Sequence, residues 1–444
     1  MPLFSVLYTL LSTALFLCLL PLLPLIACRE KYRRRLFQRL GFGLAARLRT
    51  LSPPPAGVPT IWIHALSVGE VTSALPLVRG VREHFPQARI IFSATTRAGN
   101  QVADKVLSPL VDALIAAPLD LGPVASFFIR SLRPDLFILV ETDFWPHWLH
   151  CLARRNIPTL LVNGRISAPS FARYRRFAWL FRPMFQTFTL LSMQTKADTD
   201  KMVSLGLDPQ QVTTLGNLKF DTSQLTEHQE SRGDTVWLKQ RYGFSTAAPL
   251  WICGSTHPGE EQPIFQVYRR LLADLPQLQL LLAPRNIERA KEIVALGREQ
   301  GLACRRWTSG KDAQGPLLIL DTIGELAGCY PMAEVVFIGG SLAPFGGHNP
   351  IEPAAAGVPV LFGPHMEDFA EIAAELHQRG GARQVDSTDA LYVELRHLFA
   401  DQAARRQMAE AAGLCVRLNR GVVGRHLEVI SRLVARGKHH NRHE

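Results

Sequence analysis

Along this chain, short apolar runs of strand length alternate with longer stretches in which apolar residues recur at helical spacing. After a Pro-rich break at residues 52–55, the runs are TIWIHAL, ARIIFSATT, ALIAAPLD, DLFILVET, PTLLVNGR, TLLSMQT and QVTTLGN. Their length and β-branched content predict buried parallel strands, and the segments between them, such as residues 71–85 and 97–106, predict crossover helices. A polar stretch over residues 221–234 interrupts the pattern, which resumes with PLWICGST, LQLLLAPR, ACRRWT, PLLILDT, EVVFIGGS and PVLFGP. The fold class expected is α/β, with two doubly wound, Rossmann-like domains facing a cleft, because ligands of such sheets lie beyond the carboxyl ends of the strands. A length of 444 residues agrees with two domains.

One apolar segment stands outside this pattern. Residues 2–28 carry no charged side chain and are rich in Leu, enough to cross a hydrocarbon core, so an N-terminal membrane helix is predicted. Arg29, Lys31, Arg33, Arg34, Arg35 and Arg39 follow at once. By the positive-inside rule they place the rest of the chain in the cytoplasm, and they suit contact with anionic lipids. A cleaved signal peptide carries its positive charge before the apolar run, the reverse of this order. Pro21 and Pro24 leave open a broken helix lying in the interface. The formal charge of +11 favours anionic partners without choosing among them. The seven cysteines include no CxxC pair, as expected of plain buried residues in a reducing compartment.

Polar clusters follow several predicted strands. The richest is GGSLAPFGGHNPIEPAAAGVPVLFGP at residues 339–364, where glycines allow close backbone approach, Asn349 can cap, Pro350 suits the first helical position and Glu352 lies three residues on. Unpaired amides at such a helix start would point at a phosphate, or the segment is an ordinary strand, loop and helix. In HALSVGE, Glu70 is either a catalytic carboxylate or a complement to the helix dipole. In ETDFWP, Glu141 and Asp143 stand at a strand end, with Thr142 or Asp143 as an alternative cap. NGRIS with Arg173, Tyr174, Arg175 and Arg176 either meets an anion or forms a solvated basic face, and Lys219 of GNLKFD is a cleft residue or a linker lysine. STHPGEE offers loop amides and hydroxyls to a phosphate, or Thr256 merely caps a helix. Arg285 can hold phosphate or pair with a carboxylate, and Ile323, Gly324 and Glu325 follow another strand nearby. Their shared position at strand ends favours a nucleotide site.

SVGE, ETDFWP, NGRIS, GNLKFD, STHPGEE, APR and GGHNPIEPAAAGVPVLFGPH occur in the order seen in bacterial 3-deoxy-D-manno-octulosonic acid (Kdo) transferases, which the chain resembles over nearly its whole length. The resemblance implies a GT-B glycosyltransferase, with CMP-Kdo as donor and a lipid A precursor as acceptor, at the cytoplasmic face of the inner membrane. By the same resemblance, Glu70 matches the general base, and Glu141 and Lys219 match positions that stabilise the transition state. Pro284, Arg285, Ile323, Gly324, Glu325, Asn349, Pro350, Ile351 and Glu352 match the CMP-binding stretches. Asn286 departs from the family, which is expected to carry His after the Pro-Arg pair.

The organisation implied is a membrane anchor helix over 1–28, a basic juxtamembrane segment over 29–55 and an acceptor-binding domain over 56–220. A linker over 221–234, a CMP-Kdo-binding domain over 235–437 and a disordered tail over 438–444 complete it. Partners are CMP-Kdo, the lipid A precursor and anionic membrane lipids, with no nucleic acid. No cofactor is expected, and no metal, since CMP carries a single phosphate and no carboxylate pair demands a divalent ion. The competing readings are another membrane-associated GT-B transferase using a UDP-sugar and a non-catalytic lipid-binding scaffold.

Overall fold

The structure, a computed structural model, describes residues 8–10, 12–14, 18, 30–51, 55, 57–225, 235–310 and 315–440. The chain divides into two compact units, residues 1–222 with 421–444, and residues 223–420.

In the first unit, strands β1 (Thr60–Ala65), β2 (Arg89–Ala94), β3 (Ala113–Ala116), β4 (Leu136–Val140), β5 (Thr159–Gly164), β6 (Leu190–Met193) and β7 (Val212–Thr214) form one sheet. Its order is β3-β2-β1-β4-β5-β6-β7, and every pairing is parallel. All six residues of β1 are buried, as a central strand covered on both faces requires. Successive side chains point to opposite faces, so Ile61 and Ile63 join one apolar layer while Trp62 joins Phe137 and Trp148 in the other.

The second unit repeats the plan with β8 (Leu250–Thr256), β9 (Gln279–Pro284), β10 (Cys304–Arg306), β11 (Leu317–Ile319), β12 (Val335–Ile338), β13 (Val360–Phe362) and β14 (Ala382–Gln384). The order here is β10-β11-β9-β8-β12-β13-β14, again parallel throughout. Each apolar run identified in the sequence forms a strand. Edge strand β14 had no such signal, because of its three residues only Ala382 is buried.

The predicted boundaries need correction at both ends of the second domain. Residues 421–437, expected there, belong to the first unit. The helix Val422–His440 lays Val422, Val429, Ile430, Leu433 and Val434 into the same apolar layer as Val71, Leu77 and Val78 of the helix Val68–His84. A Cβ at Gly80 would stand 2.7 Å from Val423, so glycine permits the approach of these two helices. Asp221, assigned to the linker, is instead buried, and its carboxylate accepts the amide hydrogens of Gly421 at 2.9 Å and Val423 at 2.7 Å. It thereby caps the start of the helix from two hundred residues away, a distance over which sequence pattern carries no signal. Residues 226–234 of the predicted linker and 441–444 of the predicted tail lie outside the described residues, whereas the helix continues to His440.

The basic segment is also partly built into the first unit. It forms the helices Glu30–Arg39 and Leu44–Arg49, with Leu44 in the core. The Arg35 guanidinium donates to the Thr95 carbonyl, and Arg39 Nε donates to that of Ala117 at 3.1 Å. Most of the predicted membrane helix over 1–28 lies outside the described residues, and among the described residues no helix is long and apolar enough to cross a membrane. Of the described positions, the Tyr8 hydroxyl donates to Asp120 at 2.7 Å, and Ser12 Oγ lies 2.9 Å from His147 Nε2.

Replacing Asp221 with Ala removes both cap bonds and is expected to cost about 0.5–2 kcal/mol of stability. Thermal melting and hydrogen exchange check this: exchange should speed up first at the amides of residues 421–440. Unchanged exchange there would remove the cap from the account of this boundary.

Candidate active site

In the first sheet the strand order reverses beside β1, whose neighbours are β2 and β4. Doubly wound sheets bind ligands at such a reversal, where the crossovers on either side leave the carboxyl ends uncovered. The loops that follow β1 and β4 hold Glu70 and Glu141. Glu70 lies in the first turn of the helix Val68–His84, and its carboxylate turns back to accept the amide hydrogen of Leu66, with the Ser67 amide alongside. This is the reach of a capping-box acid. Helix-start amides favour the charged form, yet the Glu70 pKa is pushed up to about 8. Burial is the main cause, and the negative charges of Glu141 and Asp143 act in the same direction. Cap and proton acceptor are therefore compatible roles for one carboxylate.

Glu141 takes a left-handed backbone conformation, φ 61°, unusual for a residue with a Cβ. Its amide donates to the Val162 carbonyl at 2.8 Å, and Asn163 Nδ2 donates to its carboxylate at 3.2 Å. Asn163 is fully buried, and its side-chain oxygen accepts the Leu218 amide hydrogen at 2.9 Å. A second chain of bonds runs from the Asn163 carbonyl to Gln194 at 3.1 Å, from Gln194 to Asn217 at 3.0 Å, and from Asn217 to the Lys219 amide at 3.0 Å. Glu141 and the backbone of Lys219 are thus tied into one network. Asn163, read in the sequence as part of a contact for an anionic acceptor, serves here to position Glu141. In the helix Ala168–Arg176, Arg173, Arg175 and Arg176 are exposed, while Phe171 and Tyr174 pack against the apolar layer around Phe185. Asp143 accepts the Trp145 indole hydrogen at 2.8 Å and lies 3.6 Å from His64, which is fully buried and whose pKa burial lowers.

The second sheet reverses beside β8, between β9 and β12, and the loops there carry the remaining clusters. The glycine-rich loop after β12 requires a correction. The amides at its beginning are not open to a phosphate, because the carboxylate of Glu260, which has no exposed surface, accepts hydrogens from Gly340 at 2.7 Å, Ser341 at 3.0 Å and Leu342 at 3.0 Å. Ala343 at 3.4 Å and His257 at 2.9 Å complete the set. The helix beyond is only Ile351–Ala355, too short for a large dipole. Asn349 caps it as expected, accepting from the Ile351 amide at 3.0 Å and donating to Glu352 at 3.1 Å. Burial raises the Glu352 pKa, and the Asn349 bond opposes that shift.

Arg285 is exposed at the end of β9, with its amide donating to the Thr256 carbonyl at 2.9 Å, while Pro284 is buried. Asn286 bends away to accept the Glu288 amide hydrogen at 3.0 Å. Thr256 is buried and donates to Glu261 at 3.3 Å, which in turn pairs with Arg289 at 2.8 Å, so its hydroxyl faces neither ligand nor helix cap. Beyond β11, Ile323 is 85% exposed and Gly324 adopts φ 91°. Glu325 is committed to the protein, taking bonds from the Thr322 hydroxyl and from Tyr242 at 3.4 Å, with Arg241 3.6 Å away.

The sequence profile described as 3-deoxy-D-manno-octulosonic-acid transferase (kdotransferase) matches residues 34–222. A 3-deoxy-D-manno-octulosonic acid transferase from Haemophilus influenzae is 35% identical over 424 residues, covering 94% of this chain and 95% of the relative. One from Chlamydophila psittaci is 30% identical, over 82% and 81%. Among solved structures, a UDP-GlcNAc 2-epimerase from Neisseria meningitidis aligns with a TM-score of 0.55 at 13% identity, covering 82% of this chain and all of that one. A glycosyltransferase from Rickettsia africae aligns at 0.53 and 12%, over 85% and 99%. At such identities these two show the fold alone, a GT-B-like pair of α/β units with parallel sheets. The length and identity shared with the curated relatives decide the rest: the chain belongs to the 3-deoxy-D-manno-octulosonic acid transferase family and is a glycosyltransferase.

Proposed function

We propose that this enzyme transfers Kdo from CMP-Kdo to a lipid A precursor, lipid IVA, in lipopolysaccharide biosynthesis, inverting the anomeric centre and releasing CMP. The observation that carries the mechanism is Glu70, a carboxylate at the strand-order reversal whose pKa stands at about 8, near working pH. A general base needs that match. Glu70 takes the proton of the acceptor hydroxyl as its oxygen bonds to the anomeric carbon, and the bond to the phosphate oxygen breaks with its electron pair leaving on CMP. Glu141, held by Asn163, stabilises positive character on the sugar ring. Lys219 and Arg285 offset negative charge on the sugar acid or the departing phosphate, and Glu352 accepts hydrogen bonds from ribose hydroxyls. Pro284, Ile323, Gly324, Glu325, Asn349, Pro350 and Ile351 shape the donor pocket, with exposed Ile323 offering an apolar surface. No step so written calls for a metal or a cofactor.

On the acceptor side, a cavity of about 730 Å³ in the first unit is lined by Arg35, Arg47 and Arg97 together with Phe42, Leu44 and Phe128. Cationic and apolar walls side by side suit an anionic amphiphile. Residues 1–28 anchor the enzyme in the inner membrane with its catalytic units on the cytoplasmic side, and the remaining basic residues after them contact anionic lipids.

Glu70→Gln keeps an acceptor for the Leu66 amide but no base. It should lower transfer by about 10²- to 10⁴-fold and leave CMP affinity unchanged, as mass spectrometry of Kdo added from CMP-Kdo to a tetraacylated precursor, with CMP binding alongside, will show. Transfer at the wild-type rate removes Glu70 as the base, and competition by UDP rather than CMP points to a UDP-sugar donor. Since burial raises the Glu70 pKa, the competent carboxylate form accumulates as pH rises, so kcat/KM should climb with pH and level off above about 8. A profile already flat well below that value contradicts the assignment. Deleting residues 1–28 should reduce membrane retention in fractionation while sparing transfer to a detergent-dispersed acceptor. Full retention counts against the anchor.

A further inference from the structure

The glycine-rich loop after β12 brings one pair of side chains together that the mechanism above does not use. His257, from the loop after β8, and His348 place their Nε2 atoms 2.8 Å apart, with ring planes 12° from parallel. Two imidazole nitrogens at that distance share one hydrogen: one donates and the other accepts. The pair is fixed from below by Glu260, whose carboxylate holds both the His257 and Gly340 amides. Gly340 has φ 70°, and a Cβ there would lie 3.2 Å from His348 and 3.3 Å from His257, so a side chain at this position would be strained and would crowd both rings. Phe345, itself 47% exposed, stacks on His257 with centroids 4.2 Å apart. Both rings are half-buried beside the exposed Arg285.

We propose that His257 and His348 form a proton-loaded seat for the phosphate of the donor nucleotide: neutral and bonded to each other in the free enzyme, the pair takes up one proton when the phosphate arrives. This rests on the reading of the second unit as the CMP-binding side. The charged groups facing the pair are Glu260 and Glu261, which favour its protonation, and Arg285 and Arg289, which oppose it. Burial, His257 and Arg285 hold the free His348 pKa down to about 4, and burial also lowers that of His257. A phosphate anion alongside reverses the balance. The added proton, drawn from solvent, leaves an N–H on each facing nitrogen, so the two rings separate and both donate to phosphate oxygens. Bonds of that kind strengthen as the leaving phosphate gains charge.

Calorimetric titration of CMP into the full-length enzyme, in buffers of differing ionisation enthalpy at about pH 7.5 where the CMP phosphate is already dianionic, counts the protons directly. Net uptake is expected with CMP and none with cytidine. CMP affinity should fall as pH rises from about 6.5 to 8.5, and His348→Gln or His257→Gln should abolish the uptake and flatten the profile. At the acid end these variants should bind CMP roughly ten- to a hundredfold more weakly than wild type, converging with it at the alkaline end. CMP binding by the wild type without proton uptake overturns the seat and leaves the donor reading standing, as does uptake that persists in both variants. Absence of any CMP binding overturns the donor reading and the seat with it.

Discussion

Parallel pairing forces every crossover in both sheets over one face or the other, and beside β1 and β8 the winding changes sides, leaving the carboxyl ends of the strands there uncovered. Glu70 and Glu141 follow the two strands that flank the first reversal, and His257, Arg285 and Asn349 follow the strands around the second. The sheets behind them are packed on both faces by residues with almost no exposed surface, such as Ile61, Trp62, Trp251 and Phe337. A close-packed sheet does not slip by a residue without turning each side chain to the wrong face, so the loops are held in place. Chemistry is confined to a few polar residues on a rigid frame.

Two acids in similar sequence settings show how far burial and bonding decide a carboxylate's role. Glu70 and Glu260 each follow a central strand and a short connection. Glu260 is enclosed and accepts five amide hydrogens, which makes it a structural anion that organises the loop after β12. Glu70 is only half-buried and meets two amides, with Glu141 and Asp143 close by, so its proton affinity rises toward the working range. A carboxylate saturated with amide bonds has no lone pair left for a substrate. One with unspent capacity and acidic neighbours does.

Interactions distant in sequence fix the remaining geometry. Asn163 spans from β5 to the segment that begins at Leu218 and holds Glu141 on the way. Asp221 reaches the helix at Val422 and returns the end of the chain to the first unit. The inward turn of Arg35 and Arg39 takes two cations from the basic collar and sets them against carbonyls at strand ends.

The alternation of apolar runs and amphipathic segments by itself determined the α/β class, the strands other than β14 and the strand-end location of the polar motifs, because burial on two faces writes a continuous apolar signal into every central strand. Motif order also determined the family. Only the tertiary structure decided which polar groups are already bonded to one another: that Glu260 fills the glycine loop, that Asn163 supports Glu141, and that residues 421–440 cover the first sheet. The physical reason is range. Periodicity reports what a residue faces within its own element, whereas the partner of a buried amide or carboxylate lies tens or hundreds of residues away, where only the packed chain brings the two together.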